Sequence, residues 1–167
     1  MTFATFQQRP RHPSVQQAAQ AALAFVRNDK TILTLSGPNG AGKSHLALAI
    51  ANEVAQEGKT PVVWLVTLLL DAIRRTFNDA SAPDVFTPAL SADLLVLDDM
   101  GAEKTSDWVD ERLFTLLHVR YTEGRKTVIT TNLKPDSGFS PRIADRLLDV
   151  HRCQVVAVAA NSYRRER

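Results

Sequence analysis

Thr31–Ser44 reads TILTLSGPNGAGKS, an apolar run that enters a glycine-rich loop and then a helix-forming stretch. Gly37, Pro38, Asn39, Gly40, Ala41, Gly42, Lys43 and Ser44 fit G-x-x-x-x-G-K-[ST] at every fixed position. Such a loop wraps phosphate oxygens with backbone N–H groups, and only glycine permits the close approach and the positive φ angles this needs. The helix that follows turns its positive end toward the anion. Lys43 offers a charge to the β- and γ-phosphates, and Ser44 a hydroxyl to Mg²⁺. His45, next in line, is grouped with these nucleotide-binding residues. A Gly/Pro/Asn turn with a chance lysine would fit the letters alone, but strand, loop and helix stand in the order the phosphate chemistry requires. The expected ligand is a nucleoside triphosphate.

At 167 residues the chain fits one domain with a proper core, and 44% apolar with 23% charged residues is ordinary globular composition. A formal charge of +2 is too small to imply nucleic-acid binding, so any basic surface must be local. The lone Cys153 excludes an internal disulfide, and His12, His45, His118 and His151 are too scattered to form a zinc cluster with it. The N-terminal MTFATFQQRPRHPS lacks the apolar core of a signal peptide, and no stretch approaches the roughly eighteen apolar residues of a membrane span. A cytoplasmic location is the expectation.

Strands and helices alternate along the chain. Residues 1–14 look like an extended arm, and Ser14 is placed to cap a helix through QQAAQAALAFVRN with Val15, Ala19, Ala22, Leu23 and Val26 on its inner face. Thr31–Leu35 is a buried strand, Lys43–Gln56 a helix stopped by Gly58, and Pro61–Val66 a second buried strand before a short helix through LLLDAIRRTF. NDASAPDVFTP reads as a loop or one-turn connector broken by Pro83 and Pro88. Leu94–Leu97 is a third strand, and Ser106 caps a helix through DWVDERLFTLLHVRYTEG. A fourth strand, Thr127–Thr131, precedes Ser140-Pro141 and a short helix, RIADRLLD. Gln154–Ala159 is the fifth strand, before a polar tail, NSYRRER. Near-continuous apolar strands separated by helices predict a parallel sheet covered on both faces. The expected divisions are 1–28 for arm and first helix, 29–160 for the core and 161–167 for the tail.

Three further groups belong with the phosphate loop. Leu94–Asp99 is an apolar strand ending in two carboxylates, and functional groups in a parallel sheet gather at carboxyl ends of strands. Asp98 is assigned to the metal and Asp99 to the attacking water; a solvated Asp-Asp turn is the alternative. Asn132 ends the strand TVITT, where it can sense the γ-phosphate and place the water, with Thr131 the neighbour to suspect otherwise; asparagine is also common in plain turns. Arg142 and Arg146 lie four apart on one short helix and share a face. An arginine that meets charge developing on the γ-phosphate is worth roughly 10³–10⁵ in rate and can come from a neighbouring subunit. On residues alone, however, a solvated basic face or salt bridges with Asp145 and Asp149 is the simpler account. Arg164 and Arg165 are weaker candidates.

With those residues in view, the chain resembles the AAA+ ATPase core of the bacterial helicase loaders (DnaC/DnaI type) and the related transposition helper IstB. The resembling segments are GPNGAGKSHLALAIANE, LLVLDDMGAEKTSDWVDERLF with HVRY, TVITTNL, RIADRLLD and SYR, spanning roughly residues 30–165. The resemblance implies a P-loop three-layer α/β/α fold with a five-stranded parallel sheet ordered 5-1-4-3-2, without a separate helical lid. It implies ATP at a subunit boundary, Asp98/Asp99 as the Walker B pair, Asn132 as sensor 1, and Arg146 as the arginine finger beside Arg142. It also implies an ATPase that delivers the replicative helicase onto single-stranded DNA. That group contacts DNA through an insertion before the Walker B strand. The corresponding interval here is Thr67–Asp93, with Arg74 and Arg75 beside Phe77, and basic residues next to an aromatic suit a base-stacking surface. An amphipathic helix with solvent-facing arginines fits the same letters. Two departures stand out: the chain starts almost at the AAA+ linker, leaving no obvious helicase-gripping segment, and Arg164 would have to replace a lid arginine. Phe3 and Phe6 either pack near the adenine or anchor the arm.

Competing functions are a transposase-helper ATPase on the same fold, a small-molecule kinase, and an adaptor that binds ATP without turnover. Against the kinase, no arginine-rich lid for a second substrate is visible, and Asp98, Asp99 and Asn132 suit water activation better than acceptor binding.

Overall fold

The computed structural model describes residues 1–7 and 12–160. Five strands, β1 (Ile32–Ser36), β2 (Pro61–Leu65), β3 (Leu94–Met100), β4 (Lys126–Thr131) and β5 (Cys153–Ala157), form one parallel sheet in the order β2-β3-β4-β1-β5. This is the expected 5-1-4-3-2 arrangement. Between them run α1 (Pro13–Arg27), α2 (Lys43–Gln56), α3 (Val66–Asn78), α4 (Phe86–Ser91), α5 (Asp107–Thr122) and α6 (Pro141–Leu147).

The strands sort their side chains by pleat. Leu33, Leu35, Leu94, Val96 and Val128 join the core under α1 and α2, while Ile32, Leu95, Leu97, Ile129 and Cys153 join the core under α3 to α6. Because both faces are covered, the central strands read as unbroken apolar runs. The second strand departs from that expectation. β2 lies at the sheet edge, and only Val62 and Trp64 pack inward, leaving Val63 and Leu65 exposed. It ends at Leu65, and Val66 opens α3 without a connecting loop.

Three other local expectations are corrected. Ser14 is not the cap of α1: the helix begins one residue earlier at Pro13, whose missing N–H costs nothing there. The Ser14 hydroxyl instead donates to Ala159 O at 2.8 Å, tying α1 to the chain beyond β5. The buried face of α1 is Val15, Ala18, Ala19, Ala22, Phe25 and Val26, and Leu23 points outward. In the stretch expected to be a loop or one-turn connector, Asp84 Oδ1 accepts from Phe86 and Thr87 N–H at the start of the six-residue α4, where Pro88 sits in the first turn without breaking it. Ser106 does cap α5, accepting from Val109 N–H at 3.2 Å, whereas the Ser140 hydroxyl before α6 makes no capping bond.

One buried cation ties the layers together. Arg120 of α5 is fully buried among neutral acceptors. Its Nη1 donates to the carbonyls of Ala89, Leu90 and Ala92 at the end of α4, its Nη2 to Lys126 O, and its Nε to Thr127 Oγ1. Those α4 carbonyls have no partner within their own helix, so one guanidinium satisfies a helix end and the start of β4 together. Burial, helped by the nearby Arg125, brings the Arg120 pKa down to about 10, so the group stays charged at neutral pH. Replacing Arg120 with leucine would leave those buried acceptors unpaired. The expected loss is about 3 kcal/mol or more, measured as the shift in urea unfolding free energy; Arg120→Lys should recover only part of it, since one ammonium cannot span both elements.

Candidate functional site

The carboxyl ends of β1, β3 and β4 converge on the loop that joins β1 to α2. Glycine is required twice in that loop. Gly37 has φ +151°, and a Cβ there would lie 2.3 Å from Val158 O, because the loop closes against the chain leaving β5. Gly42, at φ +107°, begins α2 in the left-handed region, and the Phe6 ring presses on its Cα side.

Lys43 is buried, with its Nζ donating to Gly37 O at 2.7 Å, Pro38 O at 2.9 Å and Asn132 Oδ1 at 2.8 Å. Burial lowers its pKa from the ordinary lysine value, and Asp99 and Asp98 pull the other way. The ammonium thus lies across the mouth of the loop, between β1 and the tip of β4.

The two carboxylates reach the loop because β3 is irregular. Leu97 pairs with Ile129 but Met100 pairs with Thr131, so β3 carries one extra residue there. Asp99 takes up the difference at φ +58°, the one positive φ outside glycine among the described residues. In a regular pleat, neighbouring side chains point to opposite faces. Here both serve one site: Asp98 Oδ1 accepts from Ser44 Oγ at 2.7 Å and Thr130 Oγ1 at 2.6 Å, while Asp99 Oδ1 accepts from Asn132 Nδ2 at 3.0 Å. Thr130 was missed in the sequence; its Oγ1 also accepts from Asp99 N–H at 2.9 Å, which pins the bulge. Only the strand register could have revealed it. Thr131 plays no such part, since its hydroxyl caps the turn at Leu133 N–H.

Ser44 and Asp98 suit Mg²⁺. The ion prefers hard oxygens and keeps its remaining positions for water and phosphate, and the pair provides one hydroxyl and one carboxylate already in contact. Among the described residues no cluster of three or more His, Cys, Asp or Glu could hold a metal.

A cleft of about 680 Å³ opens beside these groups, lined by Asn39 to His45, Asp98, Asp99 and Thr130, and closed on one side by Met1, Thr5, Phe6 and Leu65. His45 fastens the arm: its Nε2 lies 3.0 Å from Thr2 O, and the Phe6 ring meets it edge-on at 5.2 Å. Phe3 and Phe6 both pack on the core, as an anchored arm requires, and Phe6 also borders the cleft.

The structure does not bring Arg142 and Arg146 into this cleft. Both lie on α6 against α5: Arg142 pairs with Asp110, and Arg146 with Asp145 and His118. The pairing partner of Arg142 is thus Asp110, rather than Asp145 or Asp149. Arg74 and Arg75 are exposed on α3 and are not among the residues lining the cleft. Arg74 sits 4.6 Å over the Trp108 ring, and Phe77 approaches the same ring edge-on at 6.4 Å, a pairing across two elements that the sequence concealed. Arg164 and Arg165 lie outside the described residues.

Fold and cleft together define a P-loop nucleotide-binding protein of the AAA+ class. The chain belongs to the IstB-like ATP-binding protein family, whose model matches residues 3–167. It is 30% identical over 105 residues to the replicative helicase loader DnaI of Bacillus subtilis, covering 62% of this chain and 34% of that protein. It is 28% identical over 116 residues to the replicative helicase loader DnaC of Escherichia coli, covering 68% and 47%. A putative ATP-binding protein of insertion sequence IS232 from Bacillus thuringiensis is 29% identical over 149 residues, covering 86% and 59%. The chain therefore spans about a third to three-fifths of the length of these relatives. In fold, it matches the crystal structure of the DnaC helicase loader with a TM-score of 0.80 at 23% identity, over 93% of this chain and 95% of that one. AMPPCP-bound DnaA from Aquifex aeolicus matches at 0.81 and 18% identity, over 98% of this chain and 51% of that one.

Lys43→Ala should weaken ATP binding at least about a hundredfold, a loss consistent with a buried charge-assisted contact, while the circular dichroism spectrum stays native. Titration with a fluorescent ATP analogue checks it, and unchanged affinity would remove Lys43 from the phosphate site. Asp99→Asn, which tolerates the left-handed backbone, should keep that affinity.

Proposed function

We propose that this chain binds ATP with Mg²⁺, hydrolyses it to ADP and phosphate, and uses that cycle to switch a protein–DNA assembly, loading a replicative helicase onto single-stranded DNA during replication. The observation that carries the hydrolytic part is the bulge that turns Asp98 and Asp99 into one site with Lys43 and Asn132. Lys43 and the loop N–H groups would hold the β- and γ-phosphates. Mg²⁺, held by Ser44 and Asp98, would offset the negative charge of the β- and γ-phosphates as the bond from the γ-phosphorus to its bridging oxygen breaks. Asp99, its carboxylate oriented by Asn132, would take a proton from the attacking water, and the same asparagine links that base to Lys43. The finger would be Arg146, with Arg142 beside it, reaching the γ-phosphate held by a second copy of the chain, because neither arginine lines the cleft of its own chain.

Support for helicase loading comes from the similarity to DnaI and DnaC. The surface of α3 adds to it: Arg74 on Trp108 with the exposed Phe77 offers cation and aromatic faces together, the combination suited to single-stranded DNA. Arg75 would add charge to that surface. Remodelling of DNA for a transposase is the second reading, favoured by the family match and by the longer span shared with the IS232 protein. Either function belongs in the cytoplasm. Among the described residues no helix is long and apolar enough to cross a membrane.

Pull-down with the tagged chain, ATP and single-stranded DNA should retain a replicative helicase; a transposase in its place would decide for the second reading. Arg74→Ala combined with Arg75→Ala should weaken single-stranded DNA binding and flatten the slope of log K against log salt by about one unit, measured by fluorescence anisotropy. Identical slopes for variant and parent would take both residues off the DNA surface.

A further inference from the structure

On the side that meets α6, α5 carries a row of three rings: Phe114, His118 and Tyr121 follow at i, i+4 and i+7. Guanidinium groups sit on the row. Arg142 lies 4.8 Å from the centre of Phe114, Phe114 stacks on His118 at 5.3 Å with the planes 10° apart, and Arg146 lies 5.3 Å from the centre of Tyr121. Arg152 lies 5.1 Å from the same tyrosine, whose hydroxyl donates to Asp149.

The two arginines of α6 are held differently. Arg142 directs both Nε and Nη2 at Asp110 Oδ2, at 2.8 and 2.6 Å, so two of its nitrogens are taken up by one carboxylate. Arg146 donates from Nη1 to Asp145 Oδ2 at 2.8 Å and from Nε to His118 Nδ1 at 3.3 Å. The second bond needs a neutral imidazole carrying its proton on Nε2, and it fixes the guanidinium plane. Among the described residues Nη2 of Arg146 makes no hydrogen bond, and the side chain is 28% exposed, so this nitrogen is open to a group outside the chain.

We propose that His118, stacked on Phe114, is a positioning residue for Arg146, aiming its Nη2 at the γ-phosphate bound by a second copy of the chain. This rests on the proposed role of Arg146 as the finger in trans. A long side chain free to sample its rotamers would have to be ordered at each turnover; an acceptor at Nε and a ring beneath the plane supply that order in advance. Phe114 serves by holding the imidazole in the plane from which Nδ1 can accept.

The test separates donor from acceptor subunits. Lys43→Ala chains cannot hold ATP but can lend Arg146, and Arg146→Ala chains hold ATP but lend nothing, so ATP turnover by the mixture reads finger delivery alone. Turnover should fall about ten- to a hundred-fold when His118→Leu is added to the Lys43→Ala chain. It should recover when His118→Gln is used instead, because the glutamine Oε1 can accept from Nε. Adding His118→Leu to the Arg146→Ala chain should change nothing. Failure of the two parent variants to restore turnover at any ratio would overturn the finger itself. Restored turnover that ignores His118→Leu in the donor would overturn the positioning role alone. An equal loss from either subunit, or no recovery with glutamine at an unchanged melting temperature, would likewise overturn it.

Discussion

One extra residue in β3 governs the chemistry of this molecule. Strand pairing with β4 shifts between Leu97 and Met100, and Asp99 absorbs the shift at φ +58°. A non-glycine residue there costs of order 1–3 kcal/mol, although aspartate tolerates the left-handed region better than most. The strain persists because its surroundings over-determine it: Thr130 Oγ1 holds the Asp99 N–H, and Asn132 holds its carboxylate. Without the bulge the strand alternation would send one of the two carboxylates to the opposite face of the sheet, and Lys43 would lose half of the negative charge that offsets its burial.

Lys43, Asn132 and Asp99 then behave as one chain of polar contacts. Asn132 accepts from Lys43 through Oδ1 and donates to Asp99 through Nδ2, so any movement of the ammonium is transmitted to the carboxylate. In this arrangement the ammonium also satisfies two carbonyls of its own loop. A phosphate oxygen entering the loop would compete for those donors, because a charge-assisted bond to an anion is stronger than one to a neutral carbonyl. Redirecting Lys43 would free the Asn132 carbonyl oxygen, and the site thereby contains a physical link between occupancy of the loop and orientation of the Asp99 carboxylate.

Much of this was legible in the sequence, for identifiable reasons. The phosphate loop was readable because its glycines answer to local demands, φ +107° at Gly42 and the contact with Val158 at Gly37. The limits of α2 and the cap of α5 were readable because a left-handed glycine and a serine hydroxyl act within one helical turn. What remained hidden depends on residues far apart in the chain. The exposed face of β2 follows from its place at the sheet edge, Thr130 from strand register, and Arg120 from carbonyls that α4 brings back from about thirty positions earlier. Pro88 misled because a proline breaks a helix interior but not a first turn, and the bonds from Phe86 and Thr87 N–H to Asp84 at the start of α4 were not visible as such.

The two sides of α5 show why the site and the neighbouring arginines form one mechanical unit. Inward, Arg120 locks the end of α4 to the start of β4, the strand whose far end carries Thr130 and Asn132. Outward, Phe114, His118 and Tyr121 support Arg142 and Arg146 on α6. A buried guanidinium with neutral partners resists displacement, since moving it would strand several acceptors at once. The helix therefore links two edges of the chain: one carries Asp99 and Asn132 beside the cleft, and the other carries Arg142 and Arg146 outside it. Under the proposed function, in which a second copy completes the site, a fixed distance between these edges would let the geometry of one match the other.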